Sequence, residues 1–191
     1  CGFGLSGASA LATAYAANKL LNLRKTNKQL AIIAHTAEVE SKTGLGDVVN
    51  QYYGGCFVKF LPSSRFIVQR IPVKQKAVFC KYFSNLSTVS ILRNSDIHNL
   101  IGVSATKCLR QIKVLLKTHR VVDLGELLAV AKQFAAESGL LKNKQVVDCI
   151  RAIEKRGGHA SMIMLGNAIM SDISFPGAIN LQISDVPAHL L

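Results

Sequence analysis

The chain opens with Cys1-Gly2-Phe3-Gly4-Leu5-Ser6-Gly7-Ala8-Ser9-Ala10-Leu11, a run of small residues that contains three glycines. Glycine permits sharp turns and a close approach of the backbone to a bulky ligand. The alanine-rich residues 8–23 that follow are mainly strong helix formers. A loop that leads into a helix points free backbone N–H groups at one spot, where the helix dipole adds partial positive charge. This geometry suits a phosphate, although a Gly/Ser turn before a buried helix explains the stretch equally well.

A second pattern places a glycine-flanked aspartate after an acidic helix. Residues 30–42 predict a helix, because apolar residues recur at three- and four-residue spacing and set Glu38 beside an apolar stripe. The glycines within residues 43–46 break that helix, and Asp47 begins another helix near its N-cap. A Gly-Gly pair at residues 54–55 ends the second helix before an apolar strand. At this point a simple cap at position 47 and a solvated glutamate remain open alternatives.

Together the two patterns resemble the superfamily of galactokinase, homoserine kinase, mevalonate kinase and phosphomevalonate kinase, the GHMP kinases. In that superfamily a Gly/Ser-rich loop wraps the ATP phosphates, a helix carries a glutamate that helps to hold magnesium, and a glycine-flanked aspartate follows. Within it the chain looks most like the archaeal pantoate kinase branch. The matching segments are collinear, from the first residue to about Met170, and comprise residues 34–38 (Ala-His-Thr-Ala-Glu), 43–48 (Thr-Gly-Leu-Gly-Asp-Val), 134–140 (Phe-Ala-Ala-Glu-Ser-Gly-Leu) and 161–167 (Ser-Met-Ile-Met-Leu-Gly-Asn).

The resemblance implies transfer of a phosphoryl group from ATP to the primary hydroxyl of (R)-pantoate, giving 4-phosphopantoate on the archaeal route to coenzyme A. Asp47 would orient that hydroxyl and take its proton, and Glu38 would hold Mg²⁺, a hard ion that prefers oxygen ligands. Gly44 and Gly46 would leave space for the substrate, and Ser161 would lie near the reacting groups. The ATP phosphates would contact Gly2, Gly4, Ser6, Gly7, Ala8 and Ser9.

The chain departs from the superfamily pattern at three places. The pair Gly7-Ala8 stands where relatives such as mevalonate kinase carry two adjacent serines, so Ser6 or Ser9 would have to offer the metal a hydroxyl, and Ser9 is the candidate ligand. Residues 156–162 replace the late glycine-rich loop of the superfamily. The superfamily's early segment is missing, so we expect an N-terminally truncated chain whose phosphate loop lacks its supporting strand.

Composition narrows the class of protein. Of the 191 residues, 49% are hydrophobic and 18% are charged, as in a globular chain. No apolar run approaches the roughly 20 residues that cross a bilayer. The five cysteines are widely spaced, which indicates neither a zinc site nor a disulfide framework and favours the reducing cytoplasm.

The net charge of +12 raises the question of partners. It suits anionic substrates such as ATP and a small hydroxy acid. A non-catalytic basic nucleic-acid-binding protein is a rival interpretation, but the basic residues are scattered and tryptophan is absent. Another rival is a GHMP kinase of the mevalonate or phosphomevalonate type. We expect no nucleic acid and no membrane as partner, with a homodimer as an option.

The order of elements predicts an α+β, two-lobed GHMP-kinase-like fold that lacks its first N-terminal strands. Residues 1–94 would form the C-terminal part of the nucleotide-binding N-lobe, and residues 95–191 a mainly helical C-terminal lobe. His35 is interpreted as a packed histidine more readily than as a base. Strands are predicted at residues 56–61, 65–71, 76–83, 88–92 and 178–183, a loop at 94–98, and helices at 105–116, 124–138, 145–155 and, capped by Ser161, 162–170.

Overall fold

The computed structural model describes residues 2–44, 46–61, 66–86, 91 and 95–189. It confirms the predicted α+β class. In chain order the elements are α1 (Leu5–Leu20), α2 (Asn27–Ser41), α3 (Asp47–Tyr53), β1 (Phe57–Val58), β2 (Gln69–Arg70), β3 (Ala77–Ser84), α4 (Ser95–Thr118), α5 (Leu124–Glu137), α6 (Lys144–Glu154), β4 (Ala160–Met162), β5 (Asn167–Ser171) and β6 (Ile179–Gln182). No helix among the described residues combines the length and the hydrophobicity that crossing a membrane requires.

The chain divides into two compact units. The helical unit consists of Gly4–Arg70 and Ser184–Leu191, and the sheet unit consists of Cys1–Phe3 and Ile71–Ile183. This division differs from the lobe boundary at residue 94, because β3 pairs on both sides with strands from the end of the chain. The lobe boundary stays a prediction for the complete protein.

The helical unit is built on α1, α2 and α3. A capping box fixes the start of α2: the Thr26 side chain accepts from the backbone N–H of Gln29, and the Gln29 side chain accepts from the backbone N–H of Thr26. The helix ends at Lys42, which has a positive φ of 56°. The apolar faces of the helices enclose a core made of Leu11, Tyr15, Leu30, Ala31, Ala34, Val48, Val49 and Phe66.

The sheet unit contains a four-stranded antiparallel sheet in the order β4-β5-β3-β6. Helices α5 and α6 pack against β4 and β5. The buried residues that join these helices to the sheet include Ala135, Val146, Ile150, Ile153, Met162 and Ile169. The predicted helices at residues 124–138 and 145–155 and the predicted strands at 76–83 and 178–183 agree with the structure within one or two residues.

One predicted element is wrong. Residues 162–170 form the β4–β5 hairpin instead of a helix capped by Ser161. Ser161 is buried inside β4, where its hydroxyl donates to the carbonyl of Met162. The hairpin is favoured because all three residues of β4 and three of the five residues of β5 are buried in the sheet unit, where α5 and α6 pack against these strands. Leu165, with a φ of 57°, lies in the turn.

The bounds of other predicted elements also differ from those in the structure. The predicted loop at residues 94–98 falls largely within α4, which begins at Ser95, ten residues before its predicted start. β1 and β2 keep only two residues each of the longer predicted strands. The predicted strand at 88–92, apart from Ile91, and the turn at residues 62–64 lie outside the described residues.

Candidate active site

Glu38 is a buried carboxylate with an unused oxygen. It lies on the core-facing side of α2 and is only 2% exposed. The hydroxyl of Ser6 donates to its Oε1 at 2.8 Å, while its Oε2 has no hydrogen-bond partner among the described residues. A buried charge without a partner is costly, and such groups are commonly paired or bound to a metal. The structure therefore contradicts the alternative that Glu38 is a solvated helix charge.

Asp47 is the first residue of α3, and its carboxylate turns towards Glu38 rather than towards the helix end. The N-cap is Gly46, with no side-chain capping bond. Burial, with the nearby charge of Glu38 as a second cause, raises the pKa of Asp47 above its ordinary value. Asp47 is thus not a simple helix cap, and two carboxylates that repel each other share one location.

Gly44 explains how the two carboxylates come so close. A Cβ atom on Gly44 would lie 2.5 Å from Glu38 Oε1 and 2.9 Å from Asp47 Oδ2. Only a residue without a side chain leaves this space free. At Gly46, in contrast, no atom of the described residues outside its immediate neighbours lies within 4 Å of the ideal Cβ position, so this side of the glycine is open. The open side of Gly46 is compatible with the predicted space for a substrate, whereas the space beside Gly44 is taken up by the two carboxylates. The substrate-side role given to the two glycines stays a prediction.

The opening stretch is helical earlier than predicted. α1 begins at Leu5, so Ser6, Gly7, Ala8 and Ser9 occupy its first turns instead of a loop. Gly4 is the N-cap with a φ of 66°, has no side-chain capping bond, and its carbonyl accepts from Gln51 Nε2 at 2.9 Å. The first backbone N–H groups of α1 are therefore available to an anion, as expected at a helix N-terminus.

Gly7 has a packing role that the sequence did not suggest. It is buried, and a Cβ atom at this position would lie 2.8 Å from Asp47 Cβ and 2.9 Å from the backbone nitrogen of Val48. The first turn of α1 can approach the first turn of α3 this closely only because position 7 lacks a side chain. This contact holds Asp47 beside the N-terminus of α1.

The predicted residues separate into two groups. Gly4, Ser6, Gly7, Ala8, Ser9, Glu38, Gly44, Gly46 and Asp47 belong to the helical unit. Gly2 and Ser161 belong to the sheet unit, where Gly2 lies against Gly166. Ser6, not Ser9, donates to Glu38, and Ser9 is exposed. The metal-binding role given to Ser9 stays a prediction.

Lys59 was missed by the sequence analysis. It follows β1 directly, and its Nζ is buried without a hydrogen-bond partner in the described part of the chain. Burial lowers the pKa of Lys59. A single lysine inside the apolar residues 56–61 is the signal that could have found it, because a lone charge in such a run is either a snorkelling surface residue or a buried functional one.

His35 lies one turn before Glu38 on the same face of α2. It is buried, its ring meets the ring of Phe66 edge-on, and its Nδ1 has no partner within the described residues. Burial, followed by the charge of Lys59, lowers the pKa of His35, while Glu38 acts in the opposite direction. The packed position agrees with the sequence interpretation, but the unpaired ring nitrogen and the neighbouring Lys59 place it in a polar cluster.

The donor set fits a hard divalent cation. Glu38 Oε2 is buried and unpartnered, a second carboxylate lies across Gly44, and Ser6 adds a hydroxyl oxygen. Mg²⁺ is commonly held by one or two carboxylates, with water and phosphate completing the shell. No cluster of three His, Cys, Asp or Glu side chains occurs in the residues that the structure describes, so the protein ligands would be these few oxygens.

Comparison with known proteins gives the same family. Residues 1–55 match the GHMP kinases N terminal domain. The chain is 32% identical to the pantoate kinase of Methanocaldococcus jannaschii over 169 residues, which are 88% of this chain and 58% of that protein. It is 32% identical to the pantoate kinase of Thermococcus kodakarensis and 27% identical to that of Methanospirillum hungatei, in both cases over 89% of this chain and 54% of the relative.

A solved structure described as a phosphotransferase related to the CoA biosynthesis pathway superposes with a TM-score of 0.73 and 30% identity. The superposition covers 88% of this chain and 53% of the chain in the solved structure. The chain thus spans about half the length of the relatives that it matches. These similarities identify the chain as a relative of the pantoate kinases within the GHMP kinases.

Proposed function

We propose that the complete protein transfers the γ-phosphoryl group of ATP to the primary hydroxyl of (R)-pantoate, giving ADP and 4-phosphopantoate for archaeal coenzyme A biosynthesis. The observation that carries this proposal is the buried Glu38: its Oε1 accepts from Ser6 in the first turn of α1 and lies across Gly44 from Asp47, and its Oε2 has no partner among the described residues. The acceptor, pantoate, comes from the similarity to the three pantoate kinases.

Asp47 is suited to accept the proton of the attacking hydroxyl. Its raised pKa makes it a stronger base than an ordinary aspartate. As the hydroxyl oxygen forms its bond to the γ-phosphorus, its proton passes to Asp47, and the bond from that phosphorus to the β,γ-bridging oxygen breaks. Gly46 would leave space for the acceptor, and Gly44 lets the two carboxylates lie next to each other.

The phosphates would lie at the start of α1, where the N–H groups of Leu5, Ser6 and Gly7 precede the first helical hydrogen bond, from Ala8 to Gly4. Phosphoryl transfer needs mainly positioning and neutralisation of charge. Glu38 and Ser6 are the residues that would hold Mg²⁺, and the bound ion would supply the neutralisation of phosphate charge. The same hydroxyl fixes the rotamer of Glu38 through its 2.8 Å hydrogen bond.

Lys59 is our candidate for binding the carboxylate of the acceptor, with His35 beside it. An unpaired buried ammonium group is unfavourable, and an anionic ligand that reaches it removes this penalty. His35 can offer or accept a further hydrogen bond through its unpartnered Nδ1. Because pantoate carries one carboxylate and ATP carries only phosphates, this cluster gives the site a means to recognise the acceptor.

A coupled assay of ADP release by the full-length protein tests the proposal. Pantoate, mevalonate, phosphomevalonate and homoserine should be offered separately with ATP and Mg²⁺, and turnover should appear with pantoate. Turnover with mevalonate or phosphomevalonate but not with pantoate would contradict the assignment and support the rival GHMP kinases. Binding of nucleic acid with a steep salt dependence, without any ADP release, would support the basic binding protein instead.

The location and assembly are parts of the same proposal. We propose that the reaction takes place in the cytoplasm. A homodimer is the assembly to be tested. Cell fractionation and light scattering of the full-length protein test these two points independently of the substrate.

A further inference from the structure

A second concave site lies at the opposite ends of the helices that carry Ser6, Glu38 and Asp47. We call it the tyrosine pocket. It has a volume of about 330 Å³, within the range of small-molecule sites. All of its lining residues belong to the helical unit: Tyr15, Asn27, Tyr52, Tyr53, Arg70, Pro187 and Ala188. Asn27 and Glu38 are eleven positions apart along α2, which corresponds to about 16 Å of helix.

The hydroxyl of Tyr15 makes this pocket more than a surface depression. Tyr15 is only 4% exposed, it lines the pocket, and its hydroxyl has no hydrogen-bond partner among the residues that the structure describes. The hydroxyl of Tyr53, in contrast, donates to the carbonyl of Phe66 at 2.6 Å. A buried polar atom without a partner costs about 1–3 kcal/mol. A ligand that hydrogen-bonds the Tyr15 hydroxyl would remove this cost.

The charges around the pocket favour an anion. α2 begins at the pocket with Asn27, has no acidic residue in its first turn, and is flanked there by Lys25 and Lys28. Its dipole therefore adds positive charge next to that of Arg70. Arg70 donates to the carbonyl of Tyr53 at 3.0 Å. The acidic group that faces this cluster is Asp185, at 3.8 Å from Arg70 Nη1, and both of these side chains are more than half exposed.

We propose that the tyrosine pocket binds a small organic anion. Its carboxylate or phosphate would face Arg70 and the N-terminus of α2, a polar atom would bond the hydroxyl of Tyr15, and a flat apolar body would lie against the rings of Tyr52 and Tyr53. These two rings line the pocket and meet edge-on, with their centroids 4.9 Å apart. The proposal concerns residues that take no part in the proposed phosphoryl transfer.

Calorimetric titration of the full-length protein tests the proposal, with ADP and Mg²⁺ at saturation so that the nucleotide site is filled. The probes are phenyl phosphate, benzoate, inorganic phosphate and benzyl alcohol. We expect phenyl phosphate or benzoate to bind at least tenfold more tightly than inorganic phosphate and benzyl alcohol. The comparison of the first two probes tells which acidic group the pocket prefers.

Two substitutions locate the binding. Tyr15→Phe removes only the unpartnered hydroxyl. The variant should therefore stay folded, with an unchanged or slightly higher melting temperature. Arg70→Gln removes the charge, and Arg156→Gln is its matched control. Arg156 also donates to a backbone carbonyl at 3.0 Å, that of Ser174, but lies in the sheet unit.

We expect Tyr15→Phe and Arg70→Gln each to weaken binding at least fivefold and Arg156→Gln to leave it unchanged. Any of the following results overturns the proposal: no binding of either aromatic anion at millimolar concentration, equal binding of benzyl alcohol, equal binding of inorganic phosphate, or equal affinity in the Tyr15→Phe variant.

Discussion

Ser6 and Glu38, thirty-two residues apart in the sequence, meet through a hydrogen bond of 2.8 Å from the serine hydroxyl to Oε1. The bond joins the first turn of α1 to the last turns of α2 and leaves Oε2 without a partner. One oxygen of the carboxylate is thus held by the Ser6 hydroxyl, and the other is buried without a hydrogen bond among the described residues. This division of roles underlies the predictions for the site.

Glu38→Gln should raise the Mg²⁺ concentration for half-maximal activity at least tenfold. Glutamine keeps the size and the oxygen that Ser6 bonds, but it loses the negative charge that attracts the ion. Magnesium titrations of the wild type and the variant measure this change. Their melting temperatures should agree within about 3 °C, which is less than the shift that a loss of about 1 kcal/mol would cause in a small domain.

Glu40→Gln is the matched control, since Glu40 is an exposed glutamate on the same helix. A loss of stability of about 3 kcal/mol or more in Glu38→Gln, with unchanged magnesium dependence, would identify Glu38 as a structural ion-pair partner instead.

Ser6→Ala and Ser9→Ala should differ sharply in activity. Ser6→Ala leaves both oxygens of Glu38 without a hydrogen bond, and we expect kcat/KM to fall at least tenfold with a stability loss of about 1 kcal/mol. Ser9→Ala changes an exposed position and should keep activity within about twofold. Steady-state kinetics at saturating Mg²⁺ decide the matter. The reverse pattern would assign the metal-binding hydroxyl to Ser9, as the sequence alone suggested.

Asp47→Asn should lower kcat by about a thousandfold and leave the Kd of ATP within about threefold. Asparagine matches the shape of aspartate but cannot accept the proton of the acceptor hydroxyl. Single-turnover kinetics and nucleotide titration separate the two quantities. Near-normal kcat would show that the base lies elsewhere.

The same variant should show a pH-dependent gain in stability. Folding raises the pKa of Asp47, so the folded wild type is more stable when Asp47 is protonated, at low pH. This contribution to stability is lost as the pH rises through the pKa of Asp47 in the folded state. Asparagine never ionises. The melting temperature of Asp47→Asn should therefore exceed that of the wild type by more at about pH 7 than at about pH 4, near the unfolded pKa of aspartate. An equal difference at both values would contradict the burial of this charge.

Lys59→Met should raise the KM for pantoate at least tenfold, with little change in the KM for ATP. Methionine occupies a similar volume without the buried, unpaired ammonium group, so the melting temperature should rise or stay constant. Initial rates with either substrate varied give both constants, and Lys74→Met, at an exposed lysine, is the control. A lower melting temperature with an unchanged KM for pantoate would make Lys59 a structural residue.

The sequence was sufficient where local chemistry decides the structure. Gly54, after the last turn of α3, was predicted because glycine tolerates the positive φ that ends a helix, and the observed φ is 61°. The β4–β5 hairpin was not predicted, because its burial depends on distant α5 and α6 and its apolar residues suit either kind of element. For the same reason the pairing of Ser6 with Glu38 and the burial of Lys59 required the tertiary structure.

The missing side chain at Gly7 constrains how this chain can differ from its relatives. A Cβ there would lie 2.8 Å from Asp47 Cβ, so a serine at this position, as in mevalonate kinase, would have to push α3 away and carry the candidate base with it. In this chain the hydroxyl that bonds Glu38 belongs to the preceding residue, Ser6, in the same turn of α1. A Gly7→Ser substitution alone would thus add a hydroxyl at this turn and displace Asp47. A side chain at position 7 therefore requires a compensating change in how α1 packs against α3.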